Sequence, residues 1–450
     1  MGELSVPGAS HVFYRSPKKK YPTAVRSEGV YIYDSEGKRY LDGSSGALVV
    51  NIGHGVQRIA QVMAEQCSRL AFSHGSQFTS EPQEKLAALL AEMAPGDLDY
   101  AYFTSGGSEA TETALKLARQ YHLERGKVRK SKVIARWTSY HGNTIGALSM
   151  SGNPGRRRPY SPLLLDFPHI PPAYCFRCPF GMTHPECDLK CAQALEDEIV
   201  RQGPENVSAF IAEPVVGASA GALPAPAGYF QRIREICDRH DVLFIADEVM
   251  CGCGRTGKDF AIQHWDVVPD ILVTAKGMAS GYAPLAATIV RREIHDAFEK
   301  GSGQFVHGHT YGGSPLSCAV GFAVLSLAKE WGLAERAAEQ GDYMRSMLEE
   351  LYKYPFVGDV RGKGLMLGIE LVKDRGTKEP FPPELRLNAK VGSIAFANGL
   401  ITYPGGGSVD GSRGDHVLLG PPLVITRAEI DELVVILDLT LDRVNREVLN

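Results

Sequence analysis

The run Val242-Leu243-Phe244-Ile245-Ala246 leads directly into two carboxylates, Asp247 and Glu248. Five apolar residues in a row, with no helical spacing, read as a strand buried on both faces. Similar runs occur at 132–136, 207–212, 271–274 and 286–290, and amphipathic helical patterns stand between them at 109–122 and 229–240. Short, mostly apolar strands alternating with helices fit an α/β layer: a mostly parallel sheet flanked by helices. In open sheets of this kind ligands bind beyond the carboxyl ends of the strands, where Asp247 stands.

The flanking regions read differently. Strands at 30–33 and 39–41 surround a turn at 35–37 and a helix follows at 56–70, whereas the strand at 100–103 belongs to the alternating middle. After Pro315 helices dominate, at 316–329, 333–351 and 427–444, with one strand at 365–371. The expected division is a large domain over 61–330 and a smaller α+β domain built from 1–60 and 331–450. Composition narrows the class. Net charge is −4, and the only basic runs, Lys18–Lys20 and Arg156–Arg158, read as solvated surface, which argues against a nucleic-acid partner. No stretch approaches the ~20 apolar residues of a membrane span, and residues 1–22 lack the apolar core of a secretion signal. Nine scattered cysteines, an odd number, suit reduced thiols, so a cytoplasmic location is expected.

Two glycine loops invite a nucleotide reading. Gly252 to Gly257 satisfies G-x-G-x-x-G, but no convincing helix follows and Asp270 comes too early for a ribose-binding acid. The same stretch fails as a P-loop because Asp259, not Ser or Thr, follows Lys258. Nucleotide binding through Gly252–Gly257 is a remote alternative. The cluster Ser105-Gly106-Gly107-Ser108 is different: it follows a strand and opens a helix with Ala110, Ala114, Leu117 and Tyr121 on one face. Free N–H groups at the positive end of that helix make a phosphate site. Finally, Ile271–Thr274 delivers Lys276 to the same sheet edge as Asp247, and a desolvated lysine is a competent nucleophile toward carbonyls. Phosphate cradle, strand-end aspartate and strand-end lysine together match the requirements of pyridoxal 5′-phosphate (PLP). The lysine forms a Schiff base with the cofactor aldehyde, and the aspartate keeps the pyridine nitrogen protonated.

Phe244 through Val249, Gly254-Arg255-Thr256-Gly257 and Asp270 through Gly277, in that order and spacing, resemble the class III aminotransferases, a group of fold-type I PLP enzymes. The resemblance runs over nearly the whole chain. It implies the fold-type I transferase architecture and an amino-group transfer from an ω-amino acid or amine to a keto acid, pyruvate or 2-oxoglutarate, in a ping-pong cycle through Lys276. It implicates Lys276 and Asp247 in catalysis. It also implies cofactor contacts from Gly106, Gly107 and Ser108 (phosphate), Tyr140 and His141 (ring) and Glu213 (ring-side wall). The family usually carries a hydroxyl residue where Gly106 stands, so that side-chain contact is missing here. His309 through Pro315 resembles the segment that crosses a dimer interface, with Thr310 reaching the partner's cofactor phosphate, which implies a homodimer and leaves open whether two dimers pair. Asp42 to Gly46 with Gly53-His54 resembles the family's segment on the substrate side, with His54 structural. Arg413 is the candidate for the acceptor carboxylate. A PLP-dependent racemase or epimerase uses the same constellation and stands as the alternative. Cys175, Cys178, Cys187 and Cys191, spaced C-x2-C-x8-C-x3-C, are compatible with structural zinc or with thiols that bind no metal; the expected site contains no metal.

Overall fold

The computed structural model describes residues 10–449. Its centre is a seven-stranded sheet in the order Leu98–Thr104, Ala286–Arg291, Ile271–Thr274, Leu243–Asp247, Val207–Ala212, Lys132–Arg136, His169–Ile170. Every pairing is parallel except the two made by Ala286–Arg291, which runs against both neighbours.

Strand parity sorts the side chains between the two faces. Leu243 and Ile245 join Ala209, Ile211, Ile271 and Val273 under the helix Gly107–Glu124. Phe244 and Ala246 face the opposite layer with Phe210, Leu272 and Phe230, the last on the helix Tyr229–Arg239. Asp247 therefore emerges on the face where the helix Gly107–Glu124 begins, and Glu248 on the other. Glu248 accepts hydrogen bonds from the N–H groups of Ala261 and Ile262, at 2.9 and 2.7 Å, and burial pushes its carboxyl up to about 7. It pins the turn Ala261–Trp265 and takes no part in the ligand face.

A second, antiparallel sheet has the order Val357–Lys363, Met366–Leu371, Asp415–Leu419, Tyr403–Gly406. The N-terminal strands Ala24–Glu28, Tyr31–Asp34 and Arg39–Asp42 form a third sheet, completed by Leu400–Ile401, which pairs in parallel with Leu41 and Asp42. Segments far apart in sequence are thus hydrogen-bonded to each other.

The loop Gly252–Gly257 has a packing role. Gly254 and Gly257 take positive φ angles of +85° and +92°, and a Cβ at Gly257 would stand 2.8 Å from Ala338 on the helix Leu333–Glu349. Between them Arg255 is wholly buried. Its guanidinium donates to the carbonyls of Leu365 and Pro421 and to Asn51 Oδ1, and burial lowers its pKa to about 9. One side chain thereby ties the N-terminal segment, the antiparallel sheet and the edge of the main sheet together.

Candidate active site

The cavity beyond the carboxyl ends of the main-sheet strands has a volume of about 280 Å³, and Ser105 to Ser108, Tyr140, His141, Glu213, Asp247, Val249 and Lys276 line it. Eight residues singled out from the sequence thus meet at one place: Gly106, Gly107, Ser108, Tyr140, His141, Glu213, Asp247 and Lys276.

Lys276 follows the strand Ile271–Thr274 and opens a single 3-10 turn, Lys276–Met278. Its φ is +45°, a left-handed conformation that costs a non-glycine residue roughly 1–3 kcal/mol and persists only where the surroundings impose it. The turn is locked by Ser280 N–H donating to the Lys276 carbonyl at 3.0 Å and by Ser280 Oγ accepting from the N–H groups of Asn51 and Ile52. Gly277 serves this lock and not a ligand: a Cβ there would collide with the Asn51 amide. Burial pulls the Lys276 ammonium from its ordinary 10.5 down to about 8; Asp247 and Glu213 oppose that shift and Arg156 adds to it.

Asp247 is buried at the end of its strand. Its Oδ2 lies 2.7 Å from His141 Nδ1, and its Oδ1 accepts the Val249 N–H at 3.0 Å. The His141 ring is itself buried, its Nε2 without a hydrogen-bond partner. Glu213 accepts the N–H groups of Tyr140 and Gly217, at 3.0 and 3.1 Å, so it holds the backbone that carries the Tyr140 ring. Burial raises the Glu213 carboxyl above its usual range, with the Asp247 charge adding to the rise and His141 opposing it.

At the phosphate end, the helix Gly107–Glu124 starts from Gly106 with no side-chain cap, which leaves first-turn N–H groups without partners in the helix. Gly107 lies against Val249, where a Cβ would come 2.8 Å from Cγ1. Ser108 Oγ accepts the Asn143 N–H at 3.0 Å and joins this turn to the segment after Tyr140. An uncapped helix start, a buried carboxylate and a lysine with a lowered pKa, all on one cavity, fit PLP: anion cradle, partner for the ring nitrogen, amine for the aldehyde.

Two expected residues lie outside the cavity lining. Thr310 is exposed in the turn before the helix Pro315–Glu330. Arg413 is also exposed, on a loop where Asp410 accepts from both its backbone N–H and its Nε, at 2.7 Å each. That local pairing holds the guanidinium to its own turn. The run Arg156–Arg158 is not uniformly solvated surface. Arg157 donates to the carbonyls of Leu148, Ser149 and Ser151, and the half-buried Arg156 lies over the Tyr140 ring, 4.4 Å from its centroid. Sequence spacing offers no sign of either contact, since both depend on how 137–157 folds back. Val249, a further wall residue, follows the Asp247-Glu248 pair directly in the sequence. Among the described residues, the one set of three His, Cys, Asp or Glu ligand atoms within 4.8 Å of one another belongs to His295, Asp296 and Glu299. Cys175, Cys178, Cys187 and Cys191 form no set that tight, yet they are near neighbours, Cys175 feeling Cys178 and Cys187, and Cys191 feeling Cys175 and Cys187. No single helix among the described residues is long and apolar enough to cross a membrane.

Sheet order and site together define a PLP-dependent transferase of fold type I. Comparison with known proteins narrows this further. Residues 14–441 match the family model for class-III aminotransferases, and the chain belongs to that family. It is 43% identical to aminotransferase YodT of Bacillus subtilis over 427 residues, covering 95% of this chain and 96% of that protein. It is 37% identical to the putrescine–pyruvate aminotransferase of Pseudomonas aeruginosa over 431 residues, covering 94% and 91%. Among solved structures, a thermostable (S)-enantioselective omega-transaminase from Thermomicrobium roseum superposes with a TM-score of 0.90 at 40% identity, covering 97% of this chain and 96% of that one. The protein is thus a PLP-dependent aminotransferase, and its chemistry is transamination.

Proposed function

We propose that this enzyme moves an amino group from an ω-amino acid or a plain amine to a keto acid, pyruvate or 2-oxoglutarate, in two successive half-reactions. The observation that carries the reading is the meeting of Lys276, Asp247 and the Ser105–Ser108 turn in one cavity. The similarity to a putrescine–pyruvate aminotransferase and to an omega-transaminase supports the amine side of it.

When bound, PLP supplies an aldehyde for the incoming amine and a protonated pyridine ring that withdraws electrons from the substrate Cα. The Gly106–Ser108 turn holds the phosphate through backbone N–H groups. Asp247, its charge oriented by His141 and the Val249 N–H, holds the proton on the ring nitrogen. Tyr140 and Val249 wall the ring, and Glu213 keeps Tyr140 in place. With a pKa near 8, Lys276 Nζ takes a proton from the substrate Cα and returns it one position away. Thr310, exposed and outside the cavity, completes the phosphate site of a second subunit in a homodimer. The 61–330 unit carries the cofactor, and 1–60 together with 331–450 make up one smaller domain, a division supported by the pairing of Leu400–Ile401 with Leu41 and Asp42.

The test is the visible spectrum of the purified holoenzyme beside Lys276→Ala. Wild type should show a cofactor band that bleaches with β-alanine or 1-phenylethylamine and returns with pyruvate or 2-oxoglutarate. A band that never bleaches across a broad donor panel would replace transfer with racemisation or epimerisation, and no band would remove the reading altogether.

A further inference from the structure

Arg156 is a cation without a counter-ion at the edge of the catalytic cavity. Among the described residues its guanidinium makes no ion pair and no side-chain hydrogen bond, in contrast to Arg157 beside it and Arg413 on the facing loop. Its position over Tyr140 matters because Tyr140 lines the cavity. A guanidinium lying over a ring keeps its N–H edge free, and that edge matches the two oxygens of a carboxylate. The charge is also felt inside: it helps to lower the Lys276 ammonium and weighs on His416, which is buried in the antiparallel sheet. The turn Pro154–Arg157 that carries Arg156 touches the same facing loop, where a Cβ on Gly155 would lie 2.7 Å from the Gly411 carbonyl. Arg156 therefore sits where cavity and loop meet.

From this geometry we infer that Arg156 binds the carboxylate of the 2-oxo acid acceptor, directing the oxo group into the cavity that Lys276 lines. The inference rests on the transaminase reading and names the residue that selects acids over simple aldehydes at that site. Arg413, held by Asp410, is not required for this selection.

The experiment compares the holoenzyme with R156Q, R156K and R413Q, using 1-phenylethylamine as donor and either pyruvate or butanal as acceptor. The measured quantity is the ratio of kcat/KM for pyruvate to kcat/KM for butanal. Loss of a charge-assisted, two-point contact should lower that ratio about 10- to 100-fold in R156Q, mainly through KM for pyruvate. R156K should recover part of the loss, and R413Q should hold the ratio within about twofold of wild type. An R156Q ratio equal to wild type, or equal losses on pyruvate and butanal, would overturn the assignment, as would a fall confined to R413Q. Should wild type itself fail to bleach with any donor, the transaminase reading fails, and this inference with it, before any variant is compared.

Discussion

Covalent loading of the cofactor should report the electrostatics of Lys276 directly. An ordinary lysine ammonium with a pKa of 10.5 is about 0.03% neutral at pH 7, whereas one near 8 is about 10% neutral, a gain of about 300-fold in reactive amine. The cause is burial at the cavity floor, only partly offset by Asp247 and Glu213. The sign follows from the charge: a cation whose pKa is depressed is neutral, and nucleophilic, at lower pH than its free counterpart. Apo-protein mixed with PLP between pH 6 and 10, followed by growth of the visible band against a Lys276→Ala blank, should load about tenfold faster per pH unit up to about 8 and then level off. Arg156→Gln, which removes a neighbouring positive charge, should move the break upward. A rate that keeps rising tenfold per unit through pH 10 would refute the desolvation reasoning.

Three further outcomes follow from the contacts described. Arg255→Met leaves two carbonyls and the Asn51 amide oxygen buried without a donor, a loss of about 3–6 kcal/mol that a large drop in the thermal midpoint should show. Gly107→Ala places a methyl 2.8 Å from Val249 and should weaken PLP binding roughly tenfold by fluorescence titration, with the secondary structure unchanged by circular dichroism. Asp247→Asn keeps the shape but removes a charge of the kind that shifts a neighbouring pKa by about 1–3 units, so single-turnover transamination should slow about 10- to 1,000-fold while Lys276 still loads cofactor; an unchanged rate would deny Asp247 its role.

Much of the scaffold was legible because its segments speak for themselves. Lys132–Arg136, Val207–Ala212, Ile271–Thr274 and Arg427–Val444 have the bounds expected from their apolar pattern. Arg427–Val444 even carries a capping box, in which Thr426 and Glu429 bond reciprocally at its start. Helices at Glu81–Met93, Lys190–Gln202, Arg292–Lys300 and Leu387–Ala397 were not anticipated. Pro82 reads as a breaker until it is seen to occupy the first turn, where its missing N–H costs nothing. Lys190–Gln202 grows out of a proline- and cysteine-rich stretch with no N-cap side chain to announce it.

By itself the sequence determined the class of chemistry: a buried strand ending in Asp247, another leading to Lys276, and a glycine turn opening a helix are local patterns, each set by a handful of adjacent residues. The tertiary structure alone decided what surrounds them. The antiparallel insertion of Ala286–Arg291, the tie that Arg255 makes to Asn51 and Pro421, the seat of Arg156 on Tyr140 and the pairing of Arg413 with Asp410 join residues that no spacing rule connects. Burial and pairing are properties of neighbours, and neighbours far apart in the chain are chosen only when the whole molecule packs.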